Sequence, residues 1–298
     1  MLAIVPLVPV GPTKQKRAKR ERENATMQFG GATGGRRVFV PGHFGELLQG
    51  RLGPSGPVVL VTLPCEKLGV RGLRRPGRFA VSGTGLSPAR ARAFLSDLGL
   101  PRRGTIRLKG LAPPGSGTGV STAALVALAR LAGWRGPVET LAMACCAAEG
   151  ATDPLMFAGG GALLWASRAA RRVDTGRDLP PCTIVGGFWG PPLRTCAGDD
   201  RFADIADLVA DWRQATTLAS FAALASESAA RNAALRGPGI DPTPRLAAET
   251  GALGWCAAHT GNARGLIFVR DAVPAEAGTV LRRAGLRGVL RFDAGADQ

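Results

Sequence analysis

The segment Pro113-Pro114-Gly115-Ser116-Gly117-Thr118-Gly119-Val120-Ser121-Thr122 carries three glycines at alternate positions. Residues without a Cβ let the main chain approach a ligand closely and turn its amides inward. The stretch STAALVALARLAG begins at Ser121, and its Ala, Leu and Val spacing with a closing Gly133 predicts a buried helix over 121–133. The free amides and dipole of that helix would face the same spot as the loop, which makes the segment an anion cradle built from main chain. The hydroxyls of Ser121 and Thr122 could hold phosphate oxygens or a magnesium ion. No Gly-Lys-Ser/Thr follows, so the Walker loop is excluded, and the Rossmann dinucleotide turn with its later acidic residue is not matched. The plainer alternative is a Gly/Pro/Ser loop ending in a serine N-cap.

Two more polar clusters flank apolar runs. Pro41-Gly42-His43-Phe44-Gly45-Glu46-Leu47-Leu48-Gln49-Gly50 predicts a strand running into a glycine turn that presents His43 and Glu46. Ala258-His259-Thr260-Gly261 predicts a polar turn entering an apolar strand at 264–270. These clusters need a scaffold. Runs of Val, Ile, Phe and Leu bounded by Gly and Pro predict strands at 38–40, 57–64, 67–73, 78–83 and 105–111. A second helix is predicted from Pro137 to Gly150, then strands at 161–167 and 182–190. A helical stretch over 201–235, helices at 244–253 and 274–285, and a last strand at 287–292 complete the chain. Strands dominate early and alternate with helices late, which implies an α+β protein of two layered lobes with a seam between 150 and 195.

The three clusters, in this order and at this separation, resemble the GHMP kinases, and PGHFGELLQG with AHTG is most similar to their L-threonine kinase branch. The resemblance spans about residues 37–292. It implies a two-lobed fold, with a ribosomal S5 domain 2-like N-terminal lobe at 37–178 and a ferredoxin-like C-terminal lobe at 179–298; residues 1–36, apolar at first and then a basic run, read on their own as a disordered basic extension. It also implies ATP and Mg2+ as co-substrate and cofactor. Residues 113–122 would then wrap the nucleotide phosphates, with Ser121 and Glu149 as metal ligands and Asp153 accepting the proton of the attacking alcohol. Gly42, His43, Glu46, His259, Thr260 and Gly261 would border the substrate, His259 being equally readable as a structural histidine. Two departures stand out: Val120 replaces a serine common beside the metal-binding one, and His43 replaces a small serine. Taken alone, Thr152-Asp153-Pro154 also reads as an N-cap followed by proline. The activity implied is transfer of the ATP γ-phosphoryl to L-threonine for the aminopropanol arm of cobalamin synthesis, with homoserine or another small alcohol as the alternative acceptor.

Composition narrows the remaining classes. The 298 residues include 42 Gly and 22 Pro without a three-residue glycine period, and 45% are apolar, which excludes collagen and wholesale disorder. The net charge of +16 comes from 38 Lys/Arg against 22 Asp/Glu, eight of the cations lying within residues 1–37. Aromatic residues make up only 5%, so stacking surfaces for bases are few and nucleic acid is not an expected partner. A kinase fold gone silent that binds nucleic acid through its basic tail is the competing reading. No apolar run is long enough to span a bilayer, and no membrane partner is expected. The six cysteines show no CxxC spacing and read as reduced core thiols of a cytoplasmic protein. Oligomeric state has no signature in the sequence.

Overall fold

The structure, a computed structural model, describes residues 35–193, 198–236 and 239–295. Of the extension expected over 1–36, residues 1–34 lie outside the described residues, as does Cys196, and Arg36 already opens the first strand. Two long strands form the spine. β1 (Arg36–Arg51) and β2 (Val58–Arg75) pair antiparallel along nearly their whole length. The sequence suggested two strands where β2 is one, and a turn where β1 continues. Register shifts at Pro41/Gly42, His43/Glu46 and Glu46/Leu48 bend β1 instead of ending it. Such bulges re-aim side chains and sharpen the local twist.

β3 (Ala80–Ser82), α1 (Pro88–Asp97) and β4 (Thr105–Gly110) follow, then α2 (Val120–Ala132) and α3 (Val138–Glu149). β4 alternates strictly: Ile106 and Leu108 are buried, while Arg107 and Lys109 are exposed. Its buried face, with Val40 and Val70, packs on α2, where eleven of thirteen residues are buried. β5 (Leu163–Ala166) and β6 (Arg171–Thr175) form a hairpin that pairs back onto β2 at Val59 and Leu60.

The later elements are β7 (Cys182–Phe188), α4 (Ala206–Gln214), α5 (Leu218–Arg236), α6 (Thr243–Thr250), β8 (Gly254–Ala257), β9 (Ala263–Val269), α7 (Ala277–Arg283) and β10 (Arg287–Ala294). The sheet runs β10-β7-β9-β8-β1-β2-β4-β3, so one curled sheet serves the whole described body. β8 meets β1 at a single residue pair, Glu46 with Ala257. The helical stretch expected over 201–235 is two helices. Ala215 is extended (φ −61°, ψ 129°), and Thr217 restarts the helix by accepting from the Ser220 amide at 3.2 Å. No helix among the described residues is long and apolar enough to cross a membrane.

Phe44 ties the bulged strand to the far side. Its ring lies against the paired Gly186 and Gly265 of β7 and β9, where any Cβ would strike it, and against Phe188 and Phe292 at 6.0 and 5.6 Å between centroids. With Phe44 fixed, the flanking His43 and Glu46 have little freedom in where they point.

Candidate active site

The three polar clusters meet at the mouth of α2. Four successive carbonyls of the glycine loop are taken by outside donors: Gly115 by the Leu193 amide (2.9 Å), Ser116 by Ala263 (3.1 Å), Gly117 by Gly45 and Thr118 by His43 (both 3.3 Å). Among the described residues nothing accepts in return from the amides of residues 115–119. Gly115, Gly117 and Gly119 all have left-handed φ, between +68° and +78°. Alternating left-handed residues gather amides into an anion-binding concavity. Gly119 is also the N-cap of α2, which no side chain caps, so the helix adds its own free amides and dipole.

The approach of the chains is too close for side chains. A Cβ on Gly117 would lie 2.3 Å from that of Ala258, and one on Gly261 would lie 2.3 Å from the Gly117 nitrogen. Not every hydroxyl faces the cradle. Ser116 is buried and donates to the Pro113 carbonyl at 2.5 Å, closing the loop on itself. The Thr122 hydroxyl accepts from the Asp153 amide at 3.3 Å and so positions that residue. Val120 is buried in the core beneath the loop, with no polar group to offer.

Asp153 lies at the open side, its side chain 22% exposed, with Oδ2 3.4 Å from Nε2 of the buried His43. That is an ion-pair distance without hydrogen-bond alignment, and Nε2 has no other partner. Nδ1 of His43 donates to the Gly45 carbonyl at 3.1 Å and lies 3.9 Å from Glu46. Burial opposes a charge on this ring, but the carboxylates of Asp153 and Glu46 and the Gly45 carbonyl outweigh it, and its pKa is pushed up to about 9. His43 is therefore an imidazolium at neutral pH. No helix starts at Pro154, so the N-cap reading of Thr152-Asp153-Pro154 is not met. The turn is held instead by the Trp165 indole, which donates to the Thr152 carbonyl at 2.7 Å.

Glu149, at the C-terminal end of α3, accepts from the Ser121 hydroxyl and from Arg90 of α1 at 3.2 Å. Burial pushes its carboxyl up and the charge of Asp153 adds to that, with Ser121 and Arg90 acting the other way. Oxygen donors from Ser121 and Glu149 suit a hard cation such as Mg2+. Among the described residues no three metal-ligating side chains converge. A cation here would take most of its ligands from phosphate oxygens and water, as Mg2+ commonly does.

Glu46 and His259 are placed differently from the sequence expectation of substrate contacts. Both are about 3% exposed. Glu46 Oε2 accepts from the His259 amide at 3.1 Å and faces Nδ1 of the same residue at 3.3 Å. The Ser228 hydroxyl accepts from the Gln49 amide and is hydrogen-bonded to Nε2 of His259 at 3.1 Å, which also lies 3.2 Å from the Ser228 carbonyl. Asn232 donates to the His259 carbonyl at 3.5 Å. This buried set braces the first cluster against the third from behind. Sequence reasoning missed Ser228, Asn232 and Arg90, because α1 and the single-residue contact of β1 with β8 were not foreseen. It also missed Arg264, whose guanidinium reaches Asp241 at 2.5 Å and the carbonyls of Ala258, Gly261 and Ala263.

No sequence model of a protein family matches the chain, and no curated protein does. Solved structures do match in shape. Mevalonate kinase of Methanococcus jannaschii superposes with a TM-score of 0.62 at 11% identity, over 90% of this chain and 100% of that one. Galactokinase of Lactococcus lactis, complexed with galactose, gives 0.59 at 14%, over 95% and 98%. Homoserine kinase of Cytophaga hutchinsonii gives 0.56 at 16%, over 90% and 97%. The chain thus has the mixed α+β fold, with its curled sheet, of the GHMP-type small-molecule kinases.

Proposed function

We propose that the protein is an ATP- and Mg2+-dependent kinase acting on the side-chain hydroxyl of a small amino acid, L-threonine first. The observation that carries this reading is the cradle at residues 115–119, with its carbonyls tied outward and its amides left over at the uncapped start of α2. Such a site takes the phosphates of a nucleotide. Mg2+ held by Ser121 and Glu149 would offset charge on the phosphate oxygens. Asp153, open to solvent and held by Thr122 and His43, accepts the hydroxyl proton as the new O–P bond forms and ADP leaves. Gly42, His43, Thr260 and Gly261 border the acceptor, while Glu46 and His259 act from behind it.

The preference for threonine, and with it a place in cobalamin synthesis, rests on the likeness of PGHFGELLQG and AHTG to the threonine kinase branch. Homoserine is the second reading, favoured by the shared fold with homoserine kinase. A division into lobes at 37–178 and 179–298 is supported by the strand pairing, since β5 and β6 return to β2 whereas β7 to β10 pair with one another and meet β1 only at Glu46 and Ala257. A cytoplasmic location fits the five described cysteines, all free. The test is ADP release with Mg-ATP and each of L-threonine, L-homoserine, mevalonate and galactose, with the product identified by 31P NMR. Phosphothreonine supports the reading. Phosphohomoserine alone moves it to the second acceptor, and no turnover with any of the four overturns it.

A further inference from the structure

The positive charge of the body is concentrated. Residues 66–110 hold eleven Lys/Arg and two Asp/Glu, whereas residues 111–298 hold eighteen and seventeen. An arginine-rich composition is common to both stretches. Only the first leaves its cations unbalanced, so composition alone does not explain the asymmetry.

Register places these cations on one surface. Across β1, β2 and β4, Arg37, Leu73 and Arg107 stand directly opposite one another, as do Phe39, Arg71 and Lys109. Arg75 is opposite Thr105 in the next row. Directly paired residues share a face, and so do residues two apart along a strand. Arg37, Arg71, Arg75, Arg107 and Lys109 thus project from one face and all are exposed, with Phe39 and Leu73 half-buried between them. The opposite face, with Val40, Val70, Ile106 and Leu108, is the one that packs on α2. None of the five cations has an acidic partner among the described residues. Rows lie about 6.8 Å apart along the strands and neighbouring strands about 4.8 Å apart. Like charges directly opposite, as Arg71 and Lys109 are, destabilise a sheet.

We infer that this sheet face binds the phosphate backbone of a nucleic acid, independently of the kinase reading. Guanidinium groups can match phosphate oxygens bidentately. A second copy of the same face would bring like charges together, so the occupant carries the opposite sign. The face offers no protruding large apolar side chain to enter a bilayer. It offers one aromatic ring, Phe39, so binding is to the backbone and tolerant of sequence.

The experiment measures fluorescence anisotropy of a labelled 20-nucleotide oligouridylate with the full chain across a salt series. The same series is run with Arg37→Gln/Arg71→Gln/Arg107→Gln, whose thermal midpoint is checked against the parent. Each neutralised phosphate contributes about 0.7 to the slope of log affinity against log salt for a single strand. The parent should therefore show at least about 3.5 from this face, and the triple variant should lose about 2 of it. An unchanged slope in the variant assigns binding to residues outside the face and overturns the inference, as does no binding by the parent. Equal or tighter binding of polyglutamate or of phosphatidylserine vesicles also overturns it, in favour of an acidic protein or a membrane surface.

Discussion

Replacing His43 by Gln removes a buried imidazolium from between two carboxylates, and the consequence is a pH dependence that can be calculated. The ring is pushed up to about 9 in the folded protein and has its ordinary value of 6.5 when the chain unfolds. A histidine that holds its proton more tightly when folded lends stability that is complete below pH 6.5 and lost as pH rises through about 9. A difference of about 2.5 units corresponds to about 3 kcal/mol. The buried thiols of Cys65, Cys182 and Cys256, pushed up to between about 11 and about 12, also weaken the fold in alkali, but they are common to both proteins. The informative quantity is thus the parent-minus-variant difference in unfolding free energy, from urea melts followed by tryptophan fluorescence between pH 6 and pH 10. It should shrink by about 3 kcal/mol over that range, most of it before pH 9. A difference that stays flat would show that His43 is neutral in the fold, and the account of its pairing with Asp153 would fail.

Three further outcomes follow from the same geometry. If Asp153 is the base of the proposed reaction, Asp153→Asn should lower kcat by about 10²- to 10⁴-fold with the ATP Kd within twofold by calorimetry. Gly117→Ala puts a Cβ 2.3 Å from that of Ala258 at φ +70°, so nucleotide binding should be lost in titration calorimetry while far-UV circular dichroism stays native. Arg264→Gln leaves the 93%-buried Asp241 carboxylate without its cation and should cost about 3–5 kcal/mol in urea melts, with Asp241→Asn in the same background recovering part of it.

Local chemistry was legible in the sequence wherever it was carried by glycine spacing and apolar periodicity. The loop at 113–119, the helix behind it and its Gly133 stop all stand where alternation and helical period put them. So do β4, β5, β7, β9 and β10, because Val, Ile and Leu runs bounded by Gly and Pro have few other solutions, whereas β8 was not foreseen. What was not legible depended on partners distant in the chain. His43 and Glu46 look alike as polar residues on one strand, yet the bulge between them sends one to Asp153 and the other to His259. Nothing local distinguishes them. The helix α1 was missed although Ser87-Pro88 is a readable start, since its sequence is half polar and shows little apolar stripe. The stop at 215–217 inside the long helical stretch was hidden because Ala-Thr-Thr breaks no propensity rule strongly.

The strand β2 turns alternate side chains into different apolar groups. Val59, Val61, Leu63, Cys65 and Leu68 belong to the cluster shared with β7 and α5, while Leu60 and Val70 belong to the one around α2. A seam drawn through the chain between its two halves therefore does not separate two interiors, because the same backbone is a wall of both. Melting either interior would strip one face of β2 from the other, so the expected result of calorimetric heating is a single endotherm.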